Sequence, residues 1–151
     1  VRGTYGSKIG YNSSYGGDHG IRMAEAYLNR AEALTRRFMT KGDENDRVQA
    51  LNDLNTLRET RYVAGTYVDE EITNAQDLLD FCVNERRLEL CMEEGFRWFD
   101  IKRFGLSVTH RYIDSEGTER EYVLESNSLL YALPIPYDAM ERNYKLKQNP
   151  R

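Results

Sequence analysis

The sequence predicts a mainly α fold: a helical hairpin with further helices, one small β-hairpin and an irregular C-terminal tail. Three observations predict it. Apolar residues recur at steps of three and four in successive stretches of the first two thirds of the chain. The first two of these stretches are joined only by "TKGDEN", a link short enough to make the helices antiparallel neighbours. Strand-like character is confined to two β-leaning runs flanking Ser115-Glu116-Gly117. A chain of 151 residues, 40% hydrophobic and 30% charged, is long enough for one domain with a proper core.

Taken in order, residues 1–20 hold six glycines and three tyrosines without any apolar period and read as a loop. The remainder, 21–151, is taken as one domain. Its first helix is "IRMAEAYLNRAEALTRRFM", with the stripe Ile21, Ala24, Leu28, Ala31, Leu34, Phe38, a candidate cap at Asp18 and a stop at Gly42. The second runs over about Glu44–Tyr62 with the stripe Val48, Leu51, Leu54, Leu57. The pair resembles one tetratricopeptide-type repeat, but no second copy follows at that period. After the loop "VAGTYVDEEITN", Thr73 or Asn74 opens a third helix, predicted over Ala75–Glu94 and stopped by Gly95. "FRWFDIKRFG" is a shorter helix ended by Gly105. Beyond the β-hairpin, Pro134 and Pro136 force an extended approach to a short helix at about Tyr137–Arg142.

Several function classes are disfavoured by the same pass. The net charge is −4 and no Lys/Arg block stands out, which argues against nucleic acid. No apolar run approaches the roughly 18 residues of a membrane span, and no signal-peptide pattern opens the chain. Because it starts at Val1, it reads as a fragment or a processed chain, and any address signal would lie upstream. Cys82 and Cys91, on one predicted helix, would lie about 13.5 Å apart along its axis, which predicts free thiols. His19 and His110 are isolated, and no CxxC, HxxxH, P-loop or GxGxxG spacing occurs, so neither a metal nor a cofactor is expected.

The chemistry-bearing stretch is "ERRLELCMEEGFRWFD", Glu85 to Asp100. On a helical wheel Leu78, Phe81, Cys82, Leu88 and Met92 form one stripe and Leu79, Val83 and Leu90 another. Glu85 sits inside the first and Arg86 inside the second. A helix so widely apolar is expected to be buried, and its embedded charges then need partners. Arg58, Arg61, Arg97 and Arg103 are the candidates. The competing reading is a glycosidase-type acid and base drawn from Glu85, Glu89, Glu93 and Glu94. A carboxylate committed to a guanidinium makes a poor proton donor, so a buried ionic clasp is preferred to both catalysis and a plain solvated face.

Four segments in order, "RMAEAYLNRAEAL", "ALNDLNTLRETR", "NERRLELCMEEGFRWFDIKRFG" and "YALPIPYDAMERNYKLKQNP", resemble the C-terminal part of the SusD/RagB family, over Ile21 to Pro150. That family comprises outer-membrane lipoproteins that capture nutrients, mostly glycans, and its members are some three times longer. The family's acidic motif maps to Glu85, Arg86, Glu89, Leu90, Glu94, Gly95, Arg97 and Asp100, and the LPIP and QNP signatures to Leu133–Pro136 and Asn143–Pro150. Two departures are visible: "RETR" spaces Arg58 and Arg61 one residue further apart than the family's usual R-x-R, and the chain ends QNPR rather than QNPGY.

The resemblance implies surface-exposed glycan binding without catalysis. It also implies delivery to a SusC-like TonB-dependent transporter, with the membrane reached only through a lipid anchor outside this chain. It implies an architectural role for the clasp of Glu85, Arg86, Glu89, Glu94, Arg97, Asp100 and Arg58. Glycan contact falls to the opening loop, where Tyr5, Tyr11 and Tyr15 offer stacking faces beside Asn12 and Asp18, and glycine permits close approach. Trp98, Tyr112, Tyr122 and Tyr131 are expected to pack. The alternative is a helical module that holds a protein partner and has no sugar site of its own; a hydrolase ranks third.

Overall fold

The computed structural model describes residues 22–91, 93 and 95–151. The chain falls into two compact units that divide between Glu94 and Gly95. The first unit holds α1 (Met23–Lys41), α2 (Glu44–Glu59) and α3 (Ala75–Glu89), and α1 packs against both of the others. The second holds α4 (Phe96–Phe104), a two-stranded antiparallel sheet of β1 (Val108–Ile113) and β2 (Glu119–Leu124), a 3-10 turn at Leu129–Tyr131 and the short α5 (Tyr137–Arg142). The mainly α class with its small β-hairpin is therefore as the sequence predicts.

In the first unit Leu28 and Ala31 of α1 are buried with Ala50, Leu51, Leu54 and Leu57 of α2 and Leu78 and Cys82 of α3. Gly42 ends α1 with φ +69°, a left-handed conformation that glycine adopts without a Cβ penalty, and its N–H caps Phe38 O. Asp43 starts α2 by accepting from the Asn45 N–H, and Asn74 starts α3 by accepting from Gln76 and Asp77 N–H. The residue before α1 is Arg22, which makes no side-chain cap; the expected cap, Asp18, lies outside the described residues.

Two helices are shorter than predicted. α2 stops at Glu59 rather than Tyr62, where Thr60 Oγ1 donates to Leu57 O at 2.6 Å and the chain turns. α3 stops at Glu89 rather than Glu94, and Arg22 Nη2 donates to the Glu89 carbonyl at 3.3 Å, satisfying one of the acceptors that a helix end leaves open. Val48 and Leu88, both placed on core stripes, are exposed. The buried side of α3 runs instead through Leu78, Cys82, Glu85, Arg86 and Glu89. Its first half is apolar and its second half ionic. Cys82 lies 3.4 Å from Thr35 Oγ1, and burial pushes its thiol up to about 11; both cysteines are free, and Cys91 is exposed in the turn after α3.

Within the second unit, Gly105 ends α4 at φ +61°, and a Cβ there would collide with Asn127 Oδ1. The turn at Leu106 is held by Tyr131, whose hydroxyl donates to Leu106 O at 2.6 Å and accepts from Asn127 N at 2.9 Å. Trp98 is half-buried, its ring edge-on to Tyr131 at 6.5 Å. Tyr131 is buried as expected, whereas Tyr112 and Tyr122 are exposed: among the described residues β1 and β2 form a two-stranded ribbon with both faces open. The tail is stitched by side chains. Gln148 accepts from Ile135 N at 2.7 Å and donates to Ile135 O at 3.0 Å, and Asn149 donates to Leu133 O at 2.7 Å.

Candidate functional site

The loop residues singled out for glycan contact, Tyr5, Tyr11, Asn12 and Tyr15, lie outside the described residues, as does Glu94 of the acidic motif. The described part of that motif has a defined geometry. The Arg58 guanidinium donates to Glu85 Oε1, and its second nitrogen reaches Tyr62 Oη at 3.0 Å and Glu70 Oε1 at 3.4 Å. It is boxed by Phe81, Tyr62 and Tyr67, whose ring centroids lie 5.2, 5.6 and 5.7 Å from its central carbon. Burial works against its charge, but Tyr67 and the Glu85 carboxylate outweigh that and hold Arg58 above its ordinary value.

Glu89 is gripped twice. Arg61 Nε donates to one oxygen at 2.9 Å while its Nη2 takes the other, and Arg22 Nη2 donates at 3.0 Å. Arg22 also pairs with Glu93 at 3.1 Å. Arg86 reaches across to Asn29 Oδ1 of α1 at 2.8 Å. The loop between α2 and α3 is fastened to the same region by the buried Asn55. Its carbonyl oxygen accepts from Tyr67 Oη at 2.7 Å and Glu70 N at 3.0 Å, and its amide donates to Glu70 O at 3.2 Å.

The remaining motif residues fall in the second unit. Asp100 is buried and accepts from Arg103 Nη2 at 3.1 Å. Arg97, named with the clasp, is exposed and holds no carboxylate among the described residues. Asp100 has an arginine three residues to either side. The one nearer the helix C-terminus is favoured, because a cation there complements the macrodipole and one in the first turn opposes it.

Ionic pairing extends beyond the acidic motif to α1 and α2. Arg30 grips Asp53 through two bonds at 2.7 and 2.6 Å, and Arg37 grips Asp46 with Nε at 2.5 Å. Glu32 accepts from Arg36 at 2.8 Å. Thus each buried carboxylate among the described residues, Glu32, Asp46, Asp53, Glu85, Glu89 and Asp100, carries an arginine. The hydrogen bond from Arg37 holds the Asp46 carboxyl below the usual carboxylate range in spite of its desolvation. The signal for the α1–α2 pairs was present. Arg30 and Arg37 of α1, and Asp46 and Asp53 of α2, repeat at a two-turn interval, and both acids fall on the stripe of Ala50, Leu54 and Leu57.

Among the described residues no group of three His, Cys, Asp or Glu side chains is placed to hold a metal ion, and no helix is long and apolar enough to cross a membrane. What the arrangement can do chemically is fix three helices and a loop against one another by charge-assisted, often bidentate bonds.

The model of the SusD family matches residues 3–151. The chain belongs to the SusD family. Among SusD relatives, it is 36% identical over 90 residues to a SusD-like protein of Formosa agariphila, covering 58% of this chain and 17% of that protein. It is 33% identical over 130 residues to the starch-binding protein SusD of Bacteroides thetaiotaomicron, covering 85% of this chain and 20% of the relative. The crystal structure of a SusD-like protein from Bacteroides fragilis aligns with 83% of this chain and 24% of its own length, at 27% identity and a TM-score of 0.49. The chain thus spans about a fifth of the length of the curated SusD relatives it matches.

Proposed function

We propose that this chain takes part in capturing glycan at the outer surface of the outer membrane and passing it to a SusC-like TonB-dependent transporter, without catalysing a reaction. The observation that carries the reading is membership of the SusD family across nearly the whole chain, together with a relative named as starch-binding at 33% identity. In this reading Tyr5, Tyr11, Tyr15 and Asn12 form the stacking and hydrogen-bonding face for sugar. Glu85, Arg86, Glu89, Arg58 and Asp100 are architecture. The non-catalytic part is supported by the ion pairs: a glycosidase needs one carboxyl free to donate a proton across an open cleft, and the buried carboxylates among the described residues are each engaged by arginine.

The test is calorimetric titration of the chain with a panel of neutral and acidic oligosaccharides, in parallel with a Tyr5→Ala/Tyr11→Ala/Tyr15→Ala variant. Saturable binding by the parent and its loss in the variant is the expected result. Binding that survives in the variant removes the loop from the site. No binding to any sugar favours the alternative, a helical module that holds a protein.

A further inference from the structure

We infer that the lobe formed by residues 136–148 is a binding surface for an acidic polysaccharide, one carrying carboxylate or sulfate groups along a chain of sugar rings. The inference rests on the glycan reading above and adds to it a second site and a ligand class.

The first observation is a contrast in how cations are used. Every arginine of α1 and α2 holds a carboxylate. In the lobe and just beyond it, Arg142, Lys145, Lys147 and Arg151 are exposed, and none holds a carboxylate among the described residues. Residues 142–151 contain no acidic side chain, and the lobe's two acids, Asp138 and Glu141, both precede this run. Cations left without internal partners attract anions from solution, and several on one short segment sum their fields.

The second observation is that these cations alternate with exposed aromatic and aliphatic surface. Tyr144 is 89% exposed and Tyr137 is 74% exposed. Lys145 Nζ sits 5.9 Å from the centre of the Tyr144 ring, so one ring face and one ammonium are presented together. A pyranose ring offers a C–H face that stacks on such a ring, while its acid group pairs with the neighbouring ammonium. A neutral sugar uses only the first contact and a bare anion only the second.

The third observation is that the lobe is closed by its own hydrogen bonds. Gln148 bonds both the N–H and the carbonyl of Ile135, at 2.7 and 3.0 Å, tying the end of the segment to its start. Between them Leu146 N bonds Asn143 O at 3.0 Å, and the Asn143 side chain accepts from Lys145 N at 3.1 Å, fixing the turn that carries Tyr144 and Lys145. A loop already held in one shape loses less conformational entropy on binding.

The experiment uses the full chain with polygalacturonate and dextran sulfate as the acidic polymers, neutral dextran as the uncharged control, and vesicles containing phosphatidylglycerol as a competing anionic surface. A Lys145→Gln/Lys147→Gln variant, whose parent side chains are exposed and hold no carboxylate among the described residues, retains the parent circular dichroism. The expected result is binding of an acidic polymer by the parent at low salt, weakened at least about tenfold by the double substitution and by ~0.5 M sodium chloride. Neutral dextran binding is unchanged by the substitution. Equal affinity of parent and variant overturns the inference. So does binding of neutral sugars with none of acidic polymers, an outcome that leaves the general glycan reading standing. Preferential binding to the vesicles over either acidic polymer also overturns it, in favour of a lipid surface.

Discussion

Arg58 is the residue on which the first unit turns. Its guanidinium touches Glu85 of α3, Tyr67 and Glu70 of the connecting loop and Tyr62 beyond the end of α2, while three aromatic rings lie within 5.7 Å of its central carbon. Removing one partner of such a pair leaves the other buried and uncompensated. Arg58→Ala or Glu85→Ala is therefore expected to destabilise the chain by about 3 kcal/mol, read from urea denaturation midpoints, whereas a loss below about 0.5 kcal/mol would indicate a pair screened as at an open surface. The burial of Glu85 was legible in the sequence because a charge stood inside an apolar stripe. The choice of partner was not, because Arg58, Arg61, Arg97 and Arg103 are equivalent on paper, and only the α2–α3 approach assigns Glu85 to the first and Glu89 to the second. Arg97 shows the opposite limit: its place in the motif said nothing of the helix-end electrostatics that give Asp100 to Arg103.

Among the elements, α1, α2, α3, α4 and α5 are readable from period, caps and stops; the differences lie at helix ends and in Val48 and Leu88, which the stripes bury and the structure exposes. The sequence predicts α3 past Glu89 because Leu90 and Met92 continue an apolar rhythm, and the rhythm carries no record of Arg22 arriving to close the last turn. The β-hairpin was readable from its turn. Asp114 organises that turn: it accepts from Thr118 N and Glu116 N at 3.0 Å and from Arg120 Nε at 3.0 Å, and Gly117 supplies the φ of +81°. These bonds, the Thr118 N–H foremost, hold the Asp114 carboxyl below its ordinary value. A depressed carboxyl stabilises the folded form at pH values above its unfolded value, and that contribution is lost as pH falls through the lower folded value. The hairpin is thus expected to loosen on acidification below about pH 4, seen as collapse of the cross-strand amide signals between Thr109 and Val123. In an Asp114→Asn variant the acid step at this turn should vanish. Cross-strand signals in the parent that persist unchanged to about pH 2 would contradict the assignment of this role to Asp114.

At the scale of the whole molecule the two units differ in how their backbone is protected. The first buries Leu28, Ala31, Ala50, Leu54 and Leu78 almost completely, and the second exposes both faces of its sheet. Local opening follows burial. Amide exchange in the centres of α1 and α2 is accordingly expected to be slower by at least about a hundredfold, roughly 2.7 kcal/mol, than in β1 and β2; similar rates in both would mean that the ribbon is covered in solution. The class of the fold is legible in the sequence, but the division at Gly95 is not, because a glycine between two helices marks a helix end and a unit boundary alike. The forks on α1 and α2 have one more consequence. Arg37 meets Asp46 and Arg30 meets Asp53, so the pairs lie two turns apart on each helix. Leucine rows tolerate sliding, since one methyl group substitutes for another, but a slip of a single turn would strand both guanidinium groups together. The hairpin therefore carries a vernier: alignment is checked at two marks simultaneously, and only one setting satisfies both.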